Sequence, residues 1–281
     1  MKITDCYTLS NGVKIPIVGF GTWQIQNKDI MNSIVAAIDC GYRHIDTAYI
    51  YGNEEEIGLA IKKSGIERKK LFITSKLWNT DHSYSKVLAA VDRSLKLLKT
   101  DYLDLYLIHW PNPKEIRDNF ESAIMSTWEG MGNIYKNGKV RAIGVSNFMP
   151  HHLSIIINNS SIHPTINQIR LFPGSQQFDT IKFCQEKNIL LEGYSPLGSG
   201  KIFESKELLL LSKKYNKTIS QICVRWSLQM GFLPIPKSKT PSRIMENIDI
   251  FDFELEKEDV KKLKGIKNYC LPNPNPDRVH F

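Results

Sequence analysis

Short apolar or β-rich runs recur along the chain at 17–20 (IVGF), 43–47 (RHIDT), 71–75 (LFITS), 103–108 (LDLYLI), 141–145 (RAIGV), 165–169 (TINQI), 189–194 (ILLEGY) and 232–235 (FLPI). Runs of this length bounded by polar residues predict eight strands. Between them lie segments of helical periodicity. Asn53 and Glu56 form an Asn-x-x-Glu start, with Glu54 and Glu55 in the first turn and Lys62 and Lys63 near the end, as the helix dipole favours. Thr218 and Gln221 repeat that start before Ile222, Trp226 and Met230, which share one face, and Gly231 is a stop signal. Further helices are predicted at 29–40, 84–98, 120–137, 150–158, 177–187, 205–215, 241–248 and 256–265.

Strands alternating with helices pair in parallel through right-handed crossovers, and eight such units most economically close into a (β/α)8 TIM barrel. An open doubly wound sheet is the alternative, but it calls for G-x-G-x-x-G after an early strand, and Gly19-Phe20-Gly21-Thr22 lacks the third glycine. Ahead of the barrel, Asn11-Gly12 between TLS and VKIP predicts a β-hairpin over Tyr7 to Pro16 with a type I′ turn. Behind it, a C-terminal helix and a Pro/Asn-rich tail are expected to lie over one face. The whole of 1–281 is expected to form one domain.

Composition narrows the function classes. With 42% apolar and 23% charged residues the chain can bury a large core. No stretch approaches the 18 or so uncharged apolar residues of a membrane span, and the N-terminus has no apolar signal region, so a cytoplasmic protein without a membrane partner is expected. The five cysteines are odd in number and scattered without CxxC or Cys/His ligand spacing, which argues against a disulfide framework or a zinc site, so no metal is expected. The net charge of +8 comes from lysines spread over helical segments, so no nucleic acid partner is expected and a monomer is the default.

In such a barrel, the residues just past each strand converge on one mouth. Those positions hold Asp46, Lys76, His109, Ser146 with Asn147, Gln168, Tyr194, and Lys237 with Ser238, while Tyr51 follows Asp46 by five residues. Each alone has an ordinary structural explanation: a cap, a packed ring, a satisfied core histidine. Together they supply an acid, a cation to tune it, a carboxylate to hold the cation, and a second polar group.

With these residues in view, the chain resembles the aldo-keto reductase family. The resemblance rests on GFGTW (19–23), HIDTAYIYGNE (44–54), TSKLW (74–78), DLYLIHWP (104–111), VRAIGVSNF (140–148), NQ (167–168), YSPLG (194–198) and IPKSKTPSRIMEN (235–247). Length and the ending PNPDRVHF look most like the microbial prostaglandin F synthase and 2,5-diketo-D-gluconate reductase branch. The resemblance implies NADPH-dependent reduction of a small-molecule carbonyl by a tetrad of Asp46, Tyr51, Lys76 and His109. A free tyrosine titrates near ~10, and a nearby ammonium lowers that value. Tyr49 is the competing phenol, but the family pattern favours Tyr51. By the same matching, the cofactor contacts are Gly21, Thr22, Trp23 and Asp46; Ser146, Asn147 and Gln168 at the nicotinamide amide; Tyr194, Ser195 and Leu197 along the ring and beyond; and Lys237, Ser238, Thr240, Arg243, Glu246 and Asn247 at the 2′-phosphate and adenine. Arg, Lys and hydroxyl donors before a helix suit a phosphate, whereas a bare ribose is usually read by a carboxylate. Trp23, Trp78 and Trp110, with Tyr51 and His109, are expected to wall the substrate pocket.

Two other functions fit the same residues: a nucleotide-binding barrel acting as a sensor or interaction subunit, and a dedicated biosynthetic reductase such as a prostaglandin F synthase. The filled tetrad favours turnover. The chain departs from many relatives after Gln168, where Arg170 and Phe172 replace a Glu and a His. Strand alternation puts Arg170 on the side of Gln168 and Glu192 on that of Tyr194, so an Arg170 to Glu192 ion pair is expected, with solvent or an acidic substrate as the other destinations for Arg170. His151 and His152 after Pro150 are read as a solvated helix start.

Overall fold

In the computed structural model, residues 1–26, 28–270 and 272–281 are described. Among them, eight parallel strands form the central sheet in sequential order: β3 (Phe20–Gly21), β4 (His44–Asp46), β5 (Phe72–Leu77), β6 (Leu105–Ile108), β7 (Ile143–Ser146), β8 (Ile166–Arg170), β9 (Leu190–Tyr194) and β10 (Leu233–Ile235). The edges meet: Gly19 N–H donates to Pro234 O and Gly21 N–H to Pro236 O, both at 3.0 Å, closing the sheet into a barrel. That seam needs glycine. A Cβ on Gly19 would lie 2.6 Å from His44 Nδ1 and 2.7 Å from Ile235 Cγ2.

Helices α1 (Lys28–Asp39), α2 (Glu54–Ser64), α3 (Tyr84–Leu98), α4 (Phe120–Lys136), α5 (Pro150–Asn159) and α6 (Phe178–Glu186) each follow one strand. The pair α7 (Lys206–Tyr215) and α8 (Ile219–Gln229) follows β9, α9 (Pro241–Ile248) follows β10, and α10 (Lys257–Lys264) precedes the tail. No described helix is long and apolar enough to cross a membrane.

Two local expectations meet different outcomes at the helix starts. At α8, Thr218 Oγ1 accepts from Gln221 N–H and Gln221 Oε1 accepts from Thr218 N–H, the reciprocal box that the sequence predicts. At α2, Asn53 makes no side-chain cap. Its carboxamide is used elsewhere, accepting from Thr47 Oγ1 and donating to Thr22 O and Ile25 O, so it ties together the loops after β3 and β4.

The hairpin of β1 (Cys6–Thr8) and β2 (Lys14–Pro16) forms as predicted, but its turn is not type I′. Of Asn11 and Gly12, only Gly12 has positive φ, at 85°, and Asn11 Oδ1 accepts from Val13 N–H instead. A two-stranded ribbon is marginal alone. This one is held because Leu9 and Ile15 pack on Phe72, Leu105, Leu107, Ile166 and Leu233, plugging the end of the barrel where the strands begin. Each such buried side chain stabilises by roughly 1.5–3 kcal/mol.

Strand alternation then sorts the interior. On β5, Phe72 belongs to the plugged inner cluster while Ile73 and Leu77 pack under the helices, so Thr74 and Lys76 also point inward. By the same parity His44 and Asp46, Gln168 and Arg170, and Glu192 and Tyr194 face in. The barrel is thus apolar at one end and polar at the other.

Candidate active site

Lys76 is fully buried, and its ammonium has three oxygens around it. Nζ donates to Asp46 Oδ1 at 2.7 Å and Thr47 O at 2.9 Å, and lies 3.4 Å from Tyr51 Oη. Burial works against that charge, but Asp46 and Tyr51 outweigh it and the Lys76 pKa is raised. The sequence-based expectation for Tyr51 is corrected in sign: burial raises its pKa more than Lys76 lowers it, so the phenol is held protonated. Tyr51 owes its position to a short 3-10 turn, Tyr49–Tyr51, closed by Gly52 in the left-handed region. Tyr49 is carried away, its ring stacked 3.7 Å beneath the Arg93 guanidinium.

His109 completes the group, its ring centroid 5.9 Å from that of Tyr51 and 5.2 Å from that of Trp78. Burial and the Lys76 charge lower its pKa well below the ordinary value, so the imidazole is neutral.

All four residues except Lys76 line one cavity of about 1410 Å³ at the end of the barrel where the strands finish. Lys76 stands just behind it. Pockets for a single small ligand run to roughly 300–1,000 Å³, so this space suits a larger molecule or two molecules side by side. Along its floor Ser146 Oγ donates to Gln168 O at 2.8 Å, Asn147 Nδ2 donates to His109 O, and Tyr194 Oη donates to Asn147 Oδ1 at 2.9 Å. Asn147 stands at φ 63°, the left-handed turn that swings its carboxamide across the mouth. Gln168 Nε2 donates to Asp46 Oδ2 at 2.7 Å and Glu192 Oε2 at 2.9 Å.

Gly21, Thr22, Trp23, Ser195, Leu197, Lys237, Ser238, Arg243, Glu246 and Asn247 also line the cavity. Thr240 does not; it is the N-cap of α9, its N–H donating to Ser238 Oγ. Near the start of α9, burial first and then the neighbouring Lys239 lower the Lys237 pKa.

Trp78 and Trp110 wall the other end, but their partner there was not legible in the sequence. The Phe281 ring stacks on Trp78 with centroids 5.9 Å apart and meets Trp110 edge-on at 5.4 Å. The tail is strapped down to reach them. His152 Nε2 donates to Asp277 Oδ1 at 2.8 Å, Arg117 Nη2 donates to Val279 O, and Asn79 Nδ2 donates to Phe281 O. The solvated reading of His152 is therefore corrected: it is buried, and its Nδ1 accepts Met149 N–H, so Nε2 carries the proton given to Asp277.

The expected Arg170 to Glu192 pair is also corrected. The β8/β9 register sets Gln168 beside Glu192 and Arg170 beside Tyr194. Arg170 therefore sits farther out, its Nη1 3.5 Å from Pro272 O and 3.4 Å from Asn273 Oδ1, with its guanidinium over Phe172. Glu192 stays inside beneath Gln168, near His44. His44 and Glu192 are the interior residues the sequence reading did not assign to the site; inward parity beside Asp46 and Tyr194 was the available signal.

The sequence profile described as "Aldo/keto reductase family" matches residues 17–268. The chain is 44% identical over 281 residues to the glyoxal reductase of Bacillus subtilis (strain 168), covering 100% of this chain and 99% of that one. It superposes with TM-score 0.92 on MGS-M4, an aldo-keto reductase from a Medee basin deep-sea metagenome library, at 42% identity and covering 98% of this chain and 100% of that one. With a Bombyx mori aldo-keto reductase in complex with NADP, the TM-score is 0.85 at 36% identity, covering 94% of this chain and 92% of that one.

Proposed function

Since the chain belongs to the aldo/keto reductase family, we propose that it reduces small aldehydes and ketones with NADPH, glyoxals among them. The observation that carries this reading is the Lys76 ammonium, which joins Asp46 to the Tyr51 hydroxyl beside an aromatic-walled cavity.

The residues present fit the dinucleotide. Lys237, Ser238 and Arg243 with the first turn of α9 would hold the 2′-phosphate, with Lys237 and Arg243 supplying charge. Ser146, Asn147 and Gln168 would hold the carboxamide, and the Tyr194 ring would stack beneath it. NADPH, when bound, supplies the hydride.

The chain's own residues do the rest. Tyr51, kept protonated by burial, donates its proton to the oxygen of the carbonyl as negative charge develops there. Lys76 at 3.4 Å stabilises the phenolate left behind, and Asp46 keeps Lys76 charged and oriented. Neutral His109 donates a hydrogen bond to the same carbonyl oxygen. Trp78, Trp110 and Phe281 exclude water and present flat apolar walls to a small carbonyl.

The test is loss of reduced-nicotinamide absorbance with NADPH and NADH against glyoxals, aromatic aldehydes, keto sugars and quinones, with Tyr51→Phe as control. No turnover of any carbonyl would remove the reading, and unchanged turnover in that variant would remove Tyr51 as the acid.

A further inference from the structure

Beneath the Asp46 and Lys76 pair lies a second buried carboxyl group for which the tetrad has no use. Glu192 is wholly buried on β9, and its Oε2 accepts from the same Gln168 Nε2 that donates to Asp46 Oδ2. One amide NH2 thus spans two carboxyl groups with both of its hydrogens, which leaves Gln168 Oε1 for the cavity that this residue lines. The reverse amide orientation would set its oxygen against Asp46 Oδ2, an acceptor in the carboxylate that pairs with Lys76.

Among the described residues, the surroundings of Glu192 contain one compensating cation, Lys76. Facing it are His44 and Asp46 from β4, Lys76 from β5, Tyr51 above, and Tyr194 on its own strand; β10 offers Leu233 in register, and Arg170 lies farther along β8, turned to the tail. His44 is neutral, its pKa drawn down to about 3 by burial and by Lys76. Its Nε2 pairs with Thr74 Oγ1 at 2.9 Å and stands 3.7 Å from Glu192 Oε1, beyond hydrogen-bond reach. Among the described residues, Glu192 Oε1 has no hydrogen-bond partner. With both carboxyl groups ionised against Lys76, the interior would hold a net negative charge and an unsatisfied carboxylate oxygen.

We infer that Glu192 is a positioning residue that serves as the neutral carboxylic acid: it fixes the Gln168 amide with its oxygen toward the cavity and keeps the charge around Lys76 balanced so that Tyr51 can give up its proton. The inference rests on the reductase reading. Burial and the Asp46 charge push the Glu192 carboxyl up to about 8, in agreement with the charge count. Ionised Glu192 raises the Tyr51 pKa and makes the phenol a weaker acid, so reduction slows as Glu192 loses its proton.

Infrared difference spectra of the whole protein across a pH titration, read beside the pH profile of NADPH-dependent reduction, test this. Wild type is expected to show a carboxylic-acid carbonyl band at neutral pH that disappears near about pH 8, well above the ordinary Glu range. Glu192→Gln removes that band, whereas Glu54→Gln, which takes away another buried carboxyl with a raised pKa, leaves it. Normalised to its own rate at about pH 6.5, Glu192→Gln loses the alkaline decline seen in wild type. A wild-type spectrum with no such band overturns the inference even if the variant fails to fold. So does a Glu192→Gln pH profile identical to that of wild type. A titrating band without reduction of any carbonyl overturns the reductase reading; reduction without the band overturns only the role of Glu192.

Discussion

The ammonium of Lys76 stands 3.4 Å from the phenolic oxygen of Tyr51, although the two residues come from different strand and turn segments. Burial raises the Tyr51 pKa, so this contact stabilises the phenolate once the proton has left more than it ionises the resting phenol. Tyr51→Phe is accordingly expected to lower kcat by about 10²- to 10⁴-fold, the usual range for a positioned general acid, with NADPH affinity within about twofold. Steady-state rates and cofactor fluorescence titration check this.

Lys76→Met is expected to destabilise the fold by about 3–5 kcal/mol, because Asp46 is left as a buried charge without its partner. The double variant with Asp46→Asn should recover part of that loss while remaining inactive. Urea unfolding of the two single variants and the double variant measures the stabilities, and NADPH-dependent turnover the loss of activity.

Removing a charged donor to a phosphate costs about 1.5–3 kcal/mol. Lys237→Ala and Arg243→Ala should therefore raise the KM for NADPH by about 10- to 100-fold and leave that for NADH nearly unchanged. Equal losses with both nucleotides would place the 2′-phosphate elsewhere.

Phe281→Ala removes the ring stacked on Trp78. Such a pair contributes about 0.5–1.5 kcal/mol beyond its buried area. The KM for aromatic aldehydes should rise by roughly two- to tenfold with the affinity for NADPH unchanged, as read by paired substrate and cofactor titrations.

Acid should loosen the strap that holds the tail. Burial first, and then His151, draw the His152 pKa down to about 4 from an ordinary value near 6.5. The folded state resists a proton that the unfolded state accepts, so this contribution is complete above about pH 6.5 and is lost as pH falls toward about 4. Its size is at most about 3 kcal/mol. Thermal unfolding across that range should show a shallower acid slope for His152→Gln than for wild type.

Much of this arrangement is legible along the chain. The eight apolar runs fall on the eight barrel strands to within a few residues, except that IVGF narrows to Phe20–Gly21, where the barrel closes through backbone bonds of Gly19 and Gly21. Thr218 and Gln221 cap α8 as read, because both partners of that box lie within one turn. Asn53 shows the limit: its type suits a helix cap, but three loop groups brought to it by the fold take its carboxamide.

The sequence by itself determined the order of strands and helices, the inward parity of Asp46, Lys76, Gln168 and Glu192, and the family pattern that marks Tyr51, since these depend on spacing and residue type within short segments. Only the tertiary structure decided that Arg170 turns to the tail while Glu192 lies beneath Gln168, that His152 clamps Asp277, and that Phe281 roofs the pocket. Those outcomes follow from inter-strand register, depth along the barrel and the path of a distant tail, none of which is a property of neighbouring residues in the chain.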